Sequence, residues 1–380
     1  EATTNHKYDT TDYFEIDRHF GDKEVFRNLV EEAHKRGIKI MLDAVFNHIG
    51  YQSAQWQDVL KNGENSPYKD WFHIQEFPIT EDKLQNPREL PYHTFAFASY
   101  MPKLNTANPE VRDYLLSVAT YWIENFDIDA WRLDVANEID HQFWREFRKA
   151  VLAKKPDLYI LGEIWHTSQP WLQGDEFHAV MNYPLSESIK DYFLRQHKKT
   201  EQFISEINSQ SMYYKQQISE VMFNLLDSHD TERILTTAKG NVQHVKAALT
   251  FLYLQKGTPC IYYGTELVLI GGPDPDCRRV MPWDRVSEDN DMLNFMKKLI
   301  KARKEVASII QHGSYSLQEV KPDVIVLEWT YEGKEVQATF NQSKENFVLD
   351  RDSVDLASHC QVKEGQQIIL PDGFVVTISE

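Results

Sequence analysis

Cysteine is scarce in this sequence, and long apolar runs and an excess of positive charge are lacking. Three cysteines occur among 380 residues, which argues against a disulfide framework and favours a reducing compartment. No run of about 18 apolar residues is present, and the first residues lack the basic and apolar regions of a signal peptide. We therefore expect no membrane partner and a cytoplasmic protein.

The balance of charges is acidic. Lys and Arg number 41 and Asp and Glu number 58, so the net charge is −17. A polyanion would be repelled by this surface, which excludes nucleic acid as an expected partner, whereas a neutral sugar would not be repelled. Hydrophobic residues make up 42% of the chain, a value typical of a globular protein with a large core.

Amphipathic helical patterns alternate with short apolar runs that are typical of buried strands. The first helical pattern covers residues 22–36 and ends at Gly37. Helices that alternate with buried strands predict a parallel sheet, either closed as a barrel or open and doubly wound. Six strand-like runs are present, at residues 38–46, 128–135, 158–165, 179–185, 221–227 and 258–264.

Two regions depart from this alternation. After the first strand, a long stretch rich in Trp, Tyr, Pro, Asn and His covers residues 49–104, and loops of that length are usually functional or form a small subdomain. The last helical pattern covers residues 291–310. Beyond about Gly313 the apolar residues recur with a period near two, which predicts an all-β module at the end of the chain.

Acidic residues stand at the ends of four predicted strands. They are Asp43, Asp134, Glu163 and Asp230, and parallel strands in a barrel bring such residues to one face. Glycoside hydrolysis needs one carboxylate at the anomeric carbon and another that protonates the leaving oxygen. Arg132 lies two positions before Asp134, on the same side of its strand, so we expect it to lower the pKa of Asp134.

These residues resemble the α-amylase family of glycoside hydrolases, family 13. Its short motifs occur here in order along most of the chain. They read DAVFNH at 43–48, MPKLN at 101–105, WRLDVANE at 131–138, GEIW at 162–165, LLDSHD at 225–230 and GTPCIYYGTE at 257–266.

The resemblance implies a (β/α)8 TIM barrel in the α/β class, of which the six strands match the third to the eighth. The first two strands are then missing, and we expect the natural protein to be longer by roughly 200 residues. The implied parts are a partial barrel at 1–48, an inserted subdomain B at 49–104, the remainder of the barrel at 105–312 and a C-terminal β-sandwich domain at 313–380.

The resemblance also implies a role for individual residues. Asp134 matches the nucleophile, Glu163 the general acid/base and Asp230 the stabiliser of the transition state. The expected substrate-binding residues are Tyr8, His48, Arg132, Asn137, Glu138, Trp165, His229, Asp274 and Arg278. Tyr8 matches the tyrosine that stacks under the sugar, and Trp165 is expected to form an acceptor-side platform.

MPKLN together with VANE resembles a narrower group, the neopullulanases, cyclomaltodextrinases and maltogenic amylases, with neopullulanase preferred. We expect a retaining α-glucan hydrolase that cleaves α-1,4 and also α-1,6 bonds in pullulan, cyclodextrins and maltooligosaccharides, with transglycosylation. The alternatives are a cyclomaltodextrinase or maltogenic amylase, a cyclodextrin-forming transferase, another α-glucosidase, and, from a different class, a non-catalytic sugar-binding homologue or an inactive fragment.

The resemblance gives two further expectations about cofactors and partners. Many α-amylases hold Ca²⁺ between the barrel and the inserted subdomain, but Lys103 replaces a carboxylate ligand there, although Asn47 remains. Because a cation cannot ligate Ca²⁺, we expect no metal and no cofactor at that site, while calcium elsewhere in a longer chain stays open. We expect α-glucan oligosaccharides as partners and a homodimer in the full-length form.

Overall fold

The computed structural model describes residues 1–86, 88–350 and 354–379. The chain divides into two compact units. The first comprises residues 1–164 with 168–180, and the second comprises residues 165–167 with 181–380. Among the residues that the structure describes, no helix has both the length and the apolar character needed to cross a bilayer.

The first unit contains four helices and four strands in its described part. The helices are α1 (Lys23–Lys35), α2 (Ala54–Asn62), α3 (Pro109–Phe126) and α4 (His141–Lys154). The strands are β1 (Met41–Ala44), β2 (Ala130–Leu133), β3 (Tyr159–Gly162) and β4 (Ala179–Val180). All four strands are parallel and neighbour each other in the order β1, β2, β3, β4.

Polar caps fix where the helices of this unit begin. The Asp22 side chain accepts hydrogen bonds from the backbone of α1, and the Asn108 side chain accepts one from Glu110 N before α3. These acceptors satisfy amides that have no partner inside the helix. Helix α3 ends at Phe126, because the next residue, Asp127, has a φ of 56° and lies outside the helical region. The helix predicted at 22–36 is confirmed as α1, within one residue at each end.

The stretch between β1 and α3 contains helix α2, short 3₁₀ turns and isolated antiparallel bridges. Three of the bridges join Phe72 to Leu104, Ile74 to Tyr92 and Thr94 to Pro102. These bridges pair distant parts of the stretch with each other, so they hold it in a defined conformation although its described residues form no extended sheet. Its status as a separate subdomain stays a prediction, as do the other domain boundaries.

The second unit contains the remaining helices and two sheets. Its helices are α5 (Tyr183–Ile189, continued by a π-helix at Lys190–Leu194), α6 (Thr200–Ser211), α7 (Gln216–Ser219), α8 (Ile234–Thr237), α9 (Val242–Tyr253), α10 (Asp291–Glu305) and α11 (Ala307–His312). Its strands are β5 (Phe223–Asn224), β6 (Thr258–Pro259), β7 (Ser314–Lys321), β8 (Val324–Tyr331), β9 (Lys334–Asn341), β10 (Phe347–Leu349), β11 (Leu356–Lys363) and β12 (Gln366–Ser379).

Strands β5 and β6 are parallel, whereas β7 to β12 form one antiparallel sheet. Residues of α9, α10 and this sheet share a core that includes Phe251, Phe295, Trp329, Phe340 and Phe374. The all-β module predicted beyond Gly313 is confirmed. Two of its predicted strands, at 367–371 and 374–378, are parts of the single long strand β12.

The helix predicted at 291–310 is interrupted. Helix α10 ends at Glu305, and α11 begins at Ala307. Val306 between them has φ −94° and ψ 5°, and its side chain is fully buried in the shared core. The ψ of Val306 lies outside the α-helical range, so the prediction of one continuous helix was wrong at this position.

Candidate active site

Arg132 lies at the centre of a buried cluster of carboxylates in the first unit. Its Nη1 is 2.7 Å from Asp134 Oδ1 and 2.9 Å from Asp43 Oδ1, and its Nη2 is 2.9 Å from Glu163 Oε1. The side chains of Arg132, Asp134 and Glu163 are each less than 10% exposed. Three of the four predicted strand-end carboxylates therefore share one guanidinium.

The register of the parallel sheet produces this cluster. Asp43 on β1 is opposite Arg132 on β2, and Asp134 and Glu163 follow the ends of β2 and β3. The backbone continues the ladder past the strands, because Glu163 N donates to Leu133 O at 2.9 Å. Side chains at the carboxyl ends of neighbouring parallel strands meet at one edge of the sheet.

The second carboxylate oxygen of Glu163 is held by the backbone of the adjacent strand end. Val135 N donates to Glu163 Oε2 at 2.9 Å. Val135 has a φ of 46°, a conformation that is unfavourable for a β-branched residue. Such strain occurs most often at functional sites, and here it directs an amide N–H at the carboxylate.

Burial dominates the electrostatics of the cluster. It raises the pKa of Asp43 and raises the pKa of Asp134 well above the ordinary value, and neighbouring carboxylates add to both effects while Arg132 opposes them. Our expectation of a lowered pKa for Asp134 was therefore wrong in its net direction, because Arg132 does not offset burial together with the charges of Asp43 and Glu163.

Tyr8 and His48 flank the cluster. Tyr8 Oη donates to Asp43 Oδ2 at 2.9 Å, and the Arg132 guanidinium is 5.8 Å from the centre of the Tyr8 ring. His48 Nε2 donates to the Tyr8 carbonyl at 2.9 Å. Burial lowers the pKa of His48 to about 4, so its imidazole is neutral at physiological pH. The structure thus brings both predicted residues to the same place as Arg132.

Lys103 is the residue that replaces a carboxylate ligand of the predicted calcium site. Its ammonium donates to Asn47 Oδ1, to Glu138 O at 3.1 Å and to Glu138 Oε2 at 3.2 Å. These oxygens are the kind that Ca²⁺ prefers, but here they accept hydrogen bonds from a cation. The donor set therefore does not fit a calcium ion. Asn137 and Glu138 lie in an exposed 3₁₀ turn after the Asp134 strand end.

Asp230 is held by two cationic or protonatable side chains in the second unit. His229 Nε2 is 3.1 Å from Asp230 Oδ2, and Arg278 Nη2 is 3.3 Å from Asp230 Oδ1. Arg278 Nε is also 2.7 Å from Asp274 Oδ1 and donates to the His229 carbonyl at 3.0 Å. The four residues predicted in this part of the chain are therefore brought together.

Trp165 presents an aromatic surface in the second unit. Its side chain is 46% exposed, and its ring stacks on Tyr183 with centroids 3.7 Å apart and planes 6° apart. Stacking on Tyr183 fixes the orientation of this partly exposed ring. Tyr183 was not predicted to contribute, because no local signal pairs it with Trp165.

Two other residues, Phe95 and Arg233, make contacts next to the candidate site residues and were not predicted from the sequence. The Phe95 ring stacks on His48 with centroids 4.9 Å apart. The fully buried Arg233 donates from Nε to Cys277 O at 2.8 Å, and its guanidinium lies 3.8 Å from the centre of the Tyr262 ring. These contacts join residues that are far apart in sequence, so spacing could not reveal them.

Comparisons with known proteins identify the family. The model of the α-amylase catalytic domain matches residues 1–349. An intracellular maltogenic amylase of Bacillus subtilis is 54% identical over 343 residues, which is 90% of this chain and 57% of the relative. Neopullulanase 2 of Thermoactinomyces vulgaris is 50% identical over 309 residues, which is 81% of this chain and 52% of the relative. The chain thus spans little more than half of these relatives.

A solved structure of a cyclomaltodextrinase matches the whole chain with a TM-score of 0.90. It is 44% identical in sequence, and the match covers 66% of that protein. The fold is accordingly the TIM-barrel fold of the α-amylase catalytic domain, with an antiparallel sheet domain at the C-terminal end. This chain belongs to the α-amylase family of glycoside hydrolases.

Proposed function

We propose that this protein is a retaining α-glucan hydrolase. The observation that carries the proposal is the Arg132 cluster, in which one guanidinium contacts Asp134 at 2.7 Å and Glu163 at 2.9 Å. A retaining mechanism needs two carboxyl groups about 5 to 5.5 Å apart on opposite sides of the scissile bond. Two carboxylates that bind the two terminal nitrogens of one guanidinium are compatible with that separation, which itself stays a prediction.

In the proposed mechanism Asp134 is the nucleophile and Glu163 is the general acid/base. A carboxylate oxygen of Asp134 bonds to the anomeric carbon while the glycosidic C–O bond breaks, and Glu163 gives its proton to the departing oxygen. Glu163 then takes a proton from water, which attacks the same carbon and releases Asp134.

Arg132 has two tasks in this cycle. Because it is buried and contacts Asp134 and Asp43 at once, it orients the nucleophile and opposes its protonation. Asp43 in turn holds Tyr8 through a hydrogen bond of 2.9 Å, so that the Tyr8 ring is fixed near the nucleophile. We propose that Tyr8 stacks under the sugar and that His48 binds it as a neutral donor or acceptor.

The second unit supplies the remaining proposed residues. We assign Asp230 to stabilisation of the transition state, as the family resemblance implies. His229 is proposed to bind the same sugar, while Asp274 and Arg278 bind the neighbouring glucose. Arg278 is well placed for this because it already contacts Asp230 at 3.3 Å and Asp274 at 2.7 Å, which restricts its rotamers.

The proposed substrates are cyclodextrins, pullulan and maltooligosaccharides, cleaved at α-1,4 and also at α-1,6 bonds, with transglycosylation. Support comes from exposed Asn137 and Glu138, from the half-exposed Trp165, and from relatives named maltogenic amylase, cyclomaltodextrinase and neopullulanase. Neopullulanase is the first choice, and cyclomaltodextrinase or maltogenic amylase is the alternative.

Several finer points also remain proposals. We propose that the stretch 49–104 acts as the inserted subdomain, that two further strands complete an eight-stranded barrel, and that the full-length protein is a homodimer. The share of the relatives that the chain spans, 57% and 52%, is consistent with the additional strands. The proposed cytoplasmic location rests on a relative named as intracellular. The calcium site of many amylases is proposed to be absent because Lys103 occupies its oxygens.

The experiment that tests the proposed function is a product profile from pullulan, β-cyclodextrin and starch. Release of panose from pullulan would support neopullulanase-type cleavage, and faster cleavage of β-cyclodextrin than of starch would support the alternative. Products should keep the α configuration when followed by NMR early in the reaction. Inverted products, or no cleavage of any of these glucans and of maltotriose, would contradict the proposal.

A further inference from the structure

A short hairpin near His48 has an irregular tip. Its two arms are joined by the bridge between Thr94 and Pro102, and Phe95 N donates to Met101 O at 3.1 Å. The arms are thus fixed in register close to the turn. Within the turn, Ala98 N donates to Phe95 O at 2.8 Å, so the tip has a defined conformation.

Two residues at this tip adopt unfavourable backbone conformations. Ala96 has a φ of 46° and Phe97 has a φ of 61°, a region that residues other than glycine, asparagine and aspartate rarely occupy. Phe97 is in addition 67% exposed. The unfavourable backbone angles and the exposed aromatic ring each reduce the stability of the fold. Strain of this kind is concentrated at functional sites.

The same tip lines a large cavity in the first unit. This cavity has a volume of about 970 Å³, and its lining includes Phe97, Gln75 and His93 together with Lys103 and Glu138. Glu138 is one of the residues predicted above to bind substrate, and it lies in the turn that follows the Asp134 strand end. The lining therefore combines an exposed aromatic ring with amide, imidazole and carboxylate groups, which is the chemistry that a sugar ring requires for stacking and hydrogen bonding.

We propose that Phe97 is a stacking platform for a glucosyl unit on the acceptor side of the cleaved bond. The inference rests on the proposed function, and it names a specificity-determining residue for that reaction. The hairpin is anchored to the donor side because the Phe95 ring stacks on His48 at 4.9 Å with planes 17° apart. Phe97 is thereby held in a constant position relative to the residue proposed to bind the neighbouring sugar.

This role has a consequence for the fate of the glycosyl intermediate. An acceptor sugar that stacks on Phe97 competes with water for the anomeric carbon. Loss of the ring should therefore lower the ratio of transfer products to hydrolysis products, while the chemical step with an acceptor-free substrate is unchanged.

The test compares two substrates in four proteins. α-Maltosyl fluoride carries no acceptor sugar, whereas maltotetraose fills acceptor subsites. Phe97→Ala should lower kcat/KM for maltotetraose about tenfold, mainly through KM, and should leave α-maltosyl fluoride within about twofold. Phe97→Tyr keeps the ring and should behave like the natural protein. Ala96→Gly is the matched control, since it relieves strain in the same turn and should change neither substrate.

The readings that overturn the proposal are distinct from those that overturn the proposed function. Equal losses on both substrates, or no loss on maltotetraose, would show that Phe97 is not a platform. If Phe97→Ala does not fold, Phe97→Gly relieves the strain and should show the same loss together with a raised melting temperature. If the natural protein hydrolyses neither substrate, the proposed function fails. The stacking role of Phe97 is then tested by calorimetry, which compares the dissociation constants of maltotetraose for the natural protein and for Phe97→Ala. Equal dissociation constants, or no binding by either protein, would show that Phe97 is not a platform.

Discussion

Arg132 is the residue on which the proposed chemistry depends most directly. It contacts Asp43, Asp134 and Glu163, and its side chain is 8% exposed. A buried cation beside three carboxylates cannot be replaced by lysine without loss of geometry, because only the guanidinium presents two nitrogens in one plane. Substitutions of the carboxylates that Arg132 contacts therefore test the proposed mechanism most directly.

Asp134→Asn should lower kcat by at least about a thousandfold while the dissociation constant for β-cyclodextrin changes little. The amide cannot form the covalent intermediate, and the lost interaction exists mainly in the transition state. Kinetics and calorimetry on the same preparation measure both quantities. Asp129→Asn is the matched control, since Asp129 is also buried in the first unit but binds Ile40 N and Lys155 instead. A variant at Asp134 with more than about a tenth of the natural turnover would disprove the assignment.

Lys103 leads to a prediction about metal dependence. Its ammonium already satisfies Asn47 Oδ1 and the Glu138 carbonyl, so removal of divalent cations should leave this region intact. Exhaustive EDTA treatment should change neither melting temperature nor activity, as measured by calorimetry and by sugar release. A decrease that added Ca²⁺ restores would contradict the prediction.

Among the elements, the link from β5 to α8 depends on one buried carboxyl group. Asp227 accepts hydrogen bonds from Ile234 N and Thr265 Oγ1, both at 3.1 Å. It thereby fixes the first turn of α8 and the segment after β6, and the segment between Asp227 and α8 carries His229 and Asp230. Burial raises the pKa of Asp227 to about 6.

This raised pKa predicts a pH-dependent stability. A carboxyl whose folded pKa exceeds its unfolded pKa stabilises the fold when protonated, so its contribution is present below about pH 4 and is lost as pH rises through about 6. The free energy of unfolding of Asp227→Asn, relative to the natural protein, should therefore increase by about 2 kcal/mol between pH 4 and pH 7. Urea unfolding at both pH values measures this. A difference that does not change with pH would contradict it.

At the scale of the whole molecule, the parallel sheets end at strands that have no further strand beside them among the described residues. In the first unit β1 stands at one edge of its four-stranded sheet, and in the second β5 and β6 form a pair. Unpaired edges invite association with other chains. If two further strands complete the barrel, they would cover such edges.

We therefore expect residues 1–380 produced alone to aggregate, and a longer form with the additional strands to be soluble. Light scattering during size-exclusion chromatography distinguishes the two forms, and it also reports whether the longer form is a homodimer. A soluble and catalytically active monomer of residues 1–380 with a cooperative melt would show that no further strands are needed.

The sequence by itself determined the elements that depend on local interactions. Helical periodicity predicted the helix at residues 22–36, which is α1 in the structure, and the six apolar runs each contain one of the parallel strands β1 to β6. The motifs also identified the carboxylates near Arg132, because strand ends in a parallel sheet meet at one edge. These inferences succeed because hydrogen bonds within a helix and alternation along a strand are local properties of the chain.

Only the tertiary structure decided what depends on distant neighbours. The stacking of Phe95 on His48 and the contact of Arg233 with the Tyr262 ring each join residues that no spacing rule connects. The same holds for the raised pKa of Asp134, for which the sequence suggested the opposite direction. Burial and the sum of nearby charges determine a pKa and a packing arrangement, and both are properties of the folded chain rather than of any segment.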